Sequence, residues 1–226
     1  MNPRTRIKIC GLTREADVDA AVEAGADAIG FVLYARSPRA VTVARAAVLA
    51  RRLPPFVMPV CLFVNADADL LSAAAQALPL ALTQFHGDET AAQCEAWHQA
   101  TGRPYLRAAR MMPGFDLLDF AAQHANAAGI LLDAHVEGYG GGGKAFDWSL
   151  IPANVPRPVV LSGGLHPANV TDGISHLRPW AVDVSSGVEI NGAKGHKDAR
   201  LMQQFCTAVR DADARVAAAP AADLER

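Results

Sequence analysis

Two side chains in this sequence, the thiol of Cys10 and the carboxyl of Asp133, have the chemistry to move protons as base and acid. Cys10 ends a strand-like run, Arg6–Cys10. Alternation along it puts Lys8 and Cys10 on one side and Ile7 and Ile9 on the other. With the apolar pair turned outward, Lys8 and Cys10 face a barrel mouth, where an interior ammonium favours a thiolate. Asp133 follows the run Gly129–Leu132 and shares a face with Leu131. A glycine-rich loop, Gly138–Gly143, comes after it instead of an immediate helix, which reads as a cover under which a carboxyl keeps its proton. Each residue alone has an ordinary explanation. A free cysteine is usually a small buried hydrophobe, an aspartate can be a helix cap, and a glycine run can be a passive linker.

Two turns suit an anion. Ser162-Gly163-Gly164 follows the seventh strand-like run and Ser185-Ser186-Gly187 the eighth. Consecutive N–H groups at such turns form a concave anion site, and glycine lets the backbone come close to it. One turn of this kind is only a turn; both at the expected strand ends point to a phosphate. Arg39, in Ser37-Pro38-Arg39, offers a two-pronged fork to a carboxylate. His86 stands at the end of the fourth run. Asp183, by parity with Ser185, lies inside the eighth as a buried supporting carboxylate, with Lys8 or Arg107 as its expected partner. Cys61, Cys94 and Cys206 fall in apolar contexts and read as structural.

The elements that must position these groups repeat. Strands are expected at Arg6–Cys10, Ala28–Leu33, Val57–Phe63, Leu82–Phe85, Tyr105–Ala108, Gly129–Leu132, Val159–Leu161 and Ala181–Val184, spaced at the length of one βα unit. Helical periodicity lies between most of them. Thr13 is the expected cap of Arg14–Ala24, Asn65 that of Ala66–Gln76, and Pro167 opens Ala168–His176. The sixth unit differs, with only a short helical stretch from Asp147. Eight alternations without a break in composition predict a single α/β domain, a closed (β/α)8 TIM barrel over residues 1–215, with a disordered tail over 216–226. An open doubly wound sheet is the competitor, weakened because no GxGxxG follows the first strand.

Composition narrows the function. The 226 residues are 51% hydrophobic and 19% charged with a formal charge of −2, which leaves no basic footprint for nucleic acid. No apolar run reaches membrane-spanning length, and the start lacks the apolar stretch of a secretory signal. Four scattered cysteines without zinc-ligand spacing predict free thiols in a reducing cytoplasm, and no metal site. No cofactor is expected. The partner is a small phosphosugar, and the chain is a monomer by default, with a dimer left open.

The string Lys8-Ile9-Cys10-Gly11-Leu12-Thr13 then resembles the opening of the phosphoribosylanthranilate isomerase family of tryptophan biosynthesis. The resemblance continues, in order, through Ser37-Pro38-Arg39, Phe63-Val64-Asn65, Gln84-Phe85-His86-Gly87, Leu131-Leu132-Asp133, Phe146-Asp147-Trp148, Ser162-Gly163-Gly164, Asp183-Val184-Ser185-Ser186-Gly187-Val188-Glu189 and Lys197-Asp198. It implies an Amadori rearrangement of N-(5-phosphoribosyl)anthranilate to 1-(2-carboxyphenylamino)-1-deoxyribulose 5-phosphate. It also implies Cys10 as general base, Asp133 as general acid and Arg39 as the partner of the anthranilate carboxylate. Phe85 stands where the family commonly has leucine, and Arg107 where it often has lysine. Two other readings remain open: the histidine-pathway sugar isomerase, whose two-aspartate pattern Cys10 does not match, and a non-catalytic barrel that binds phosphometabolites.

Overall fold

The computed structural model describes residues 4–134 and 146–218. Its eight parallel strands close into a barrel in chain order: β1 (Arg6–Cys10), β2 (Ala28–Val32), β3 (Met58–Phe63), β4 (Leu82–Phe85), β5 (Tyr105–Met111), β6 (Gly129–Ala134), β7 (Val159–Leu161) and β8 (Ala181–Val184). Lys8 pairs with Ala28 on one side and Asp183 on the other, so β1 closes the ring. The helices are α1 (Glu15–Ala24), α2 (Val43–Ala50), α3 (Ala68–Ala77), α4 (Ala91–Thr101), α5 (Leu117–Gln123), α6 (Val170–Leu177) and α7 (Ala199–Ala218). Between β6 and β7 the described residues hold a single 3-10 turn, Trp148–Leu150, capped by Asp147.

Period-2 alternation divides the strands into two chemistries. Outward residues such as Ile7, Ile9, Phe31, Phe63 and Val182 pack beneath the helices in one core that also holds Phe205 and Val209 of α7. Phe85, Tyr105, Ile130 and Leu132 do the same beneath α4 and α5. Each large side chain removed from water in this way contributes about 1.5–3 kcal/mol. Inside the barrel, Leu106, Ala108, Leu131, Val160 and Ala181 form an apolar plug. Lys8, Gln84 and Asp183 share the interior with it, and Cys10, His86 and Asp133 stand at the C-terminal rim.

Three expected caps shift. The Thr13 hydroxyl donates to the Gly195 carbonyl at 3.0 Å, so α1 starts without a side-chain cap. The Asn65 side chain accepts from the amide of Asp88, and Asp67 caps α3 instead. Pro167 opens a turn that delays α6 to Val170. The last helix continues to Ala218, three residues beyond the expected boundary at 215. Residues 219–226 and the Gly138–Gly143 loop lie outside the described residues.

Candidate active site

The interior begins with a buried ion pair. Lys8 Nζ lies 2.9 Å from Asp183 Oδ1, with side chains 4% and 6% exposed. Burial opposes the lysine's charge, but the Asp183 carboxylate, aided by the Cys10 sulfur, holds Lys8 above the ordinary lysine range. Asp183 is pushed upward, chiefly by burial and also by the charge of Asp133, while Lys8 pulls against both. The Lys8 ammonium also acts on Cys10, and Asp183 senses the charges of Asp133 and His86. The expected thiol and carboxyl thus belong to one electrostatic cluster spanning β1, β8, β4 and β6.

Cys10 is buried, and its environment differs from the expectation of a thiolate near neutral pH. Burial pushes the thiol up, and the opposing pull of Lys8 and the smaller pull of Lys197 do not overcome it. The other three thiols are raised by burial as well, Cys61 to about 12 and Cys94 and Cys206 to about 11, in keeping with structural roles. Gly30 makes room for the Cys10 sulfur: a β-carbon built there would lie 2.6 Å from Cys10 Sγ.

On the opposite side of the rim, Asp133 Oδ2 lies 3.0 Å from His86 Nε2, and Oδ1 accepts from the Ala134 amide at 2.9 Å. Gly163, at φ 78°, presses its backbone on this group, since a β-carbon there would lie 3.0 Å from Asp133 Oδ1 and collide with the Ala134 nitrogen. Gly164 is also left-handed, at φ 68°. The N–H groups of Gly163, Gly164, Ser186 and Gly187 donate to none of the described residues. The two turns touch, because a β-carbon on Gly187 would strike the Leu165 carbonyl. Four undonated amides from two adjoining turns make a neutral cradle of the kind that binds phosphate. The Ser185 hydroxyl is spent elsewhere, donating to the Cys10 carbonyl at 3.0 Å.

Arg39 differs from expectation. Its Nε and one terminal nitrogen grip Glu189 at 2.7 and 2.8 Å. Lys197 Nζ reaches the same carboxylate at 3.0 Å and the Ser185 carbonyl at 3.0 Å. Burial works against Glu189, but Arg39 and Lys197 hold its carboxyl below the usual range. Burial, opposed by Glu189, leaves Lys197 lowered. Two cations against one carboxylate leave one unit of positive charge at this end of the mouth. Arg107 is the plain correction. It lies on the outward face of β5, bonding the carbonyls of Phe85, Gly87, Ala108 and Glu89, so it orders the β4–α4 loop, and of the two expected partners it is Lys8 that pairs with Asp183. Because β5 runs to Met111, the inward residue at its rim is Arg110, bonded to Asp88 at 2.7 Å.

Gln84, Glu189, Lys197 and Arg110 carried no expected role. Parity with His86 marks Gln84 as inward-facing. Glu189 and Lys197 lie outside the strands, where parity has nothing to say.

The profile of the family described as N-(5′-phosphoribosyl)anthranilate (PRA) isomerase matches residues 7–208. An N-(5′-phosphoribosyl)anthranilate isomerase of Methylibium petroleiphilum is 71% identical over 215 residues, covering 95% of this chain and 98% of the relative. That of Leptothrix cholodnii is 72% identical over 212 residues, covering 94% of each. Among solved structures, the phosphoribosyl anthranilate isomerase of Thermotoga maritima superposes with TM-score 0.81 at 38% identity, covering 92% of this chain and 99% of that one. A phosphoribosyl anthranilate isomerase in complex with reduced 1-(o-carboxyphenylamino)-1-deoxyribulose 5-phosphate matches at TM-score 0.78 and 36% identity, covering 92% and 99%.

Proposed function

The chain belongs to the N-(5′-phosphoribosyl)anthranilate isomerase family, an isomerase of tryptophan biosynthesis, and from that premise we propose that Cys10 is its general base and Asp133 its general acid. The observation that carries this reading is the buried Lys8–Asp183 ion pair, whose ammonium acts on Cys10 while Asp183 senses Asp133 and His86. A base and an acid thus face one cavity from different strands. The substrate phosphate takes the amides of Gly163, Gly164, Ser186 and Gly187, as the analogue in the solved relative carries a ribulose 5-phosphate.

Asp133 gives a proton to the ribose ring oxygen, and the C1′–O bond breaks as the anthranilate nitrogen donates its pair to form an iminium. The Cys10 thiolate then removes the C2′ proton, and those electrons return to nitrogen as an enolamine. Moving the 2′-hydroxyl proton to C1′ gives the ketone. One proton passed from the thiol back to the carboxylate resets the pair. Each positioned transfer supplies about 10²–10⁴-fold. The substrate nitrogen is the electron sink, so the scheme uses no cofactor. The anthranilate carboxylate lies toward the positive end made by Arg39 and Lys197, Arg39 using the edge that Glu189 does not hold.

Every residue in this reading comes from one chain, and we take the monomer as the working unit. No helix among the described residues is long and apolar enough to cross a membrane, and we place the enzyme in the cytoplasm. The test is turnover of freshly made phosphoribosylanthranilate, followed by loss of its fluorescence, with Cys10→Ser and Asp133→Asn. Both should lose at least about 10²-fold in kcat; near-normal kcat in the pair would remove the acid–base assignment.

A further inference from the structure

Gln84 is a costly residue for its position. It is fully buried, and its register partners are Leu62 on β3 and Leu106 on β5. Its Nε2 lies 3.0 Å from His86 Nδ1, and His86 Nε2 lies 3.0 Å from Asp133 Oδ2. Its Oε1, however, is buried with no hydrogen-bond partner. An aliphatic side chain would fill the same space without that orphan.

The hydrogen bonds dictate the protons. A neutral imidazole has one donor and one acceptor. When the Gln84 amide donates to Nδ1, the ring hydrogen sits on Nε2 and points at Asp133, whose carboxylate accepts it. This is the arrangement left after an acid has spent its proton. To reload, the Asp133–His86 pair must take up one proton, and in its imidazolium form Nδ1 becomes a donor. A half-turn of the Gln84 amide then presents Oε1, the atom that now lacks a partner, to Nδ1–H.

We propose that Gln84 is a positioning residue that keeps the general acid supplied with its proton, its carbonyl oxygen stabilising the proton-loaded form of the Asp133–His86 pair. Among the described residues, the side chain that meets His86 Nδ1 is Gln84. The charged groups around the pair are Lys8 and Asp183 from β1 and β8, and Arg110 from β5, which is in register with Asp133 and bonded to Asp88. Just beyond β7, Gly163, which carries no charge, lies against Asp133. The backbone N–H of His86 is held on the Phe63 carbonyl at 2.9 Å, and the ring itself on Asp133 through Nε2.

The inference rests on Asp133 being the acid, and its test separates the two. In the substrate-free wild-type protein with ¹⁵N-labelled His and Gln side chains, a coupling through the Gln84 Nε2–H···Nδ1 bond is expected at high pH. It should vanish as His86 takes up its second proton; persistence through that step overturns the inference, whatever the kinetics. Gln84→Met should move the His86 ring titration to lower pH by about one unit and lower kcat by roughly 10-fold, with KM nearly unchanged. Gln84→Glu, which restores an acceptor, should recover kcat above the Met variant. An unshifted titration in Gln84→Met, or no recovery in Gln84→Glu, also overturns it. If the titration shifts while kcat does not, the proton of this pair is not used in turnover and the inference again fails. Asp133→Asn then reports independently on the acid itself.

Discussion

Replacing Lys8 by methionine tests how much of the site depends on one buried ion pair. The perturbation leaves Asp183 buried, with the Ser162 hydroxyl at 3.5 Å as its remaining side-chain partner. At 2.9 Å and an effective dielectric of about 20, the two charges attract by about 6 kcal/mol. Desolvation of both offsets much of that. Orphaning one partner of such a pair typically costs about 3–5 kcal/mol. In a chain of this size 1 kcal/mol corresponds to about 2–4 °C, so thermal unfolding followed by circular dichroism at pH 7 should show Tm lowered by about 6–20 °C. Lys8→Met combined with Asp183→Leu buries no charge and should regain most of the loss. The pH dependence has a definite sign. In the wild type, Lys8 is held above its unfolded value, so its contribution persists through neutral pH and is lost only as pH rises through the folded value. In the variant, Asp183 is raised by burial without a counter-ion, so the penalty is full at neutral pH. It is relieved as pH falls through the raised carboxyl value, and the gap to wild type should narrow in acid. A loss under about 1 kcal/mol, or a double variant no more stable than the single one, would refute the reasoning.

The two further predictions concern the sulfur. Because burial pushes the Cys10 thiol up and only the thiolate accepts a proton, kcat/KM, which reports on the free enzyme, should still be rising past the ordinary thiol range of about 8.5. A plateau already reached at pH 7 would contradict the assigned base. Gly30→Ala places a methyl 2.6 Å from Cys10 Sγ and 3.0 Å from its Cα, so the thiol must move. A shift approaching 1 Å should cost roughly 10²-fold in kcat with the circular dichroism spectrum unchanged, and an unaffected kcat would show that the sulfur's placement is not limiting.

All eight strands occur where alternation and spacing put them, with β1, β4, β7 and β8 matching the expected bounds at both ends. The reason is local: each strand needs one apolar face for the helices, and that period is written in consecutive residues. The same parity found Lys8, Cys10, Asp133 and Asp183. It went astray on β5, where the rule that a polar residue faces the mouth failed. Arg107 points outward because its guanidinium finds four backbone carbonyls, two of them, Gly87 and Glu89, in the β4–α4 loop, a set of acceptors that exists only once that loop is folded.

The chain order of residue types thus determined the barrel and its rim, and put the proposed base and acid on that rim. Tertiary structure decided whom each group touches. Arg39 meets Glu189 across 150 positions, Lys8 meets Asp183 across 175, and His86 meets Asp133 across 47. Such pairings arise when the ring closes and distant strand ends become neighbours, and no periodicity records them. Burial also reversed the expected state of Cys10, because the desolvation of a thiol depends on everything packed around it.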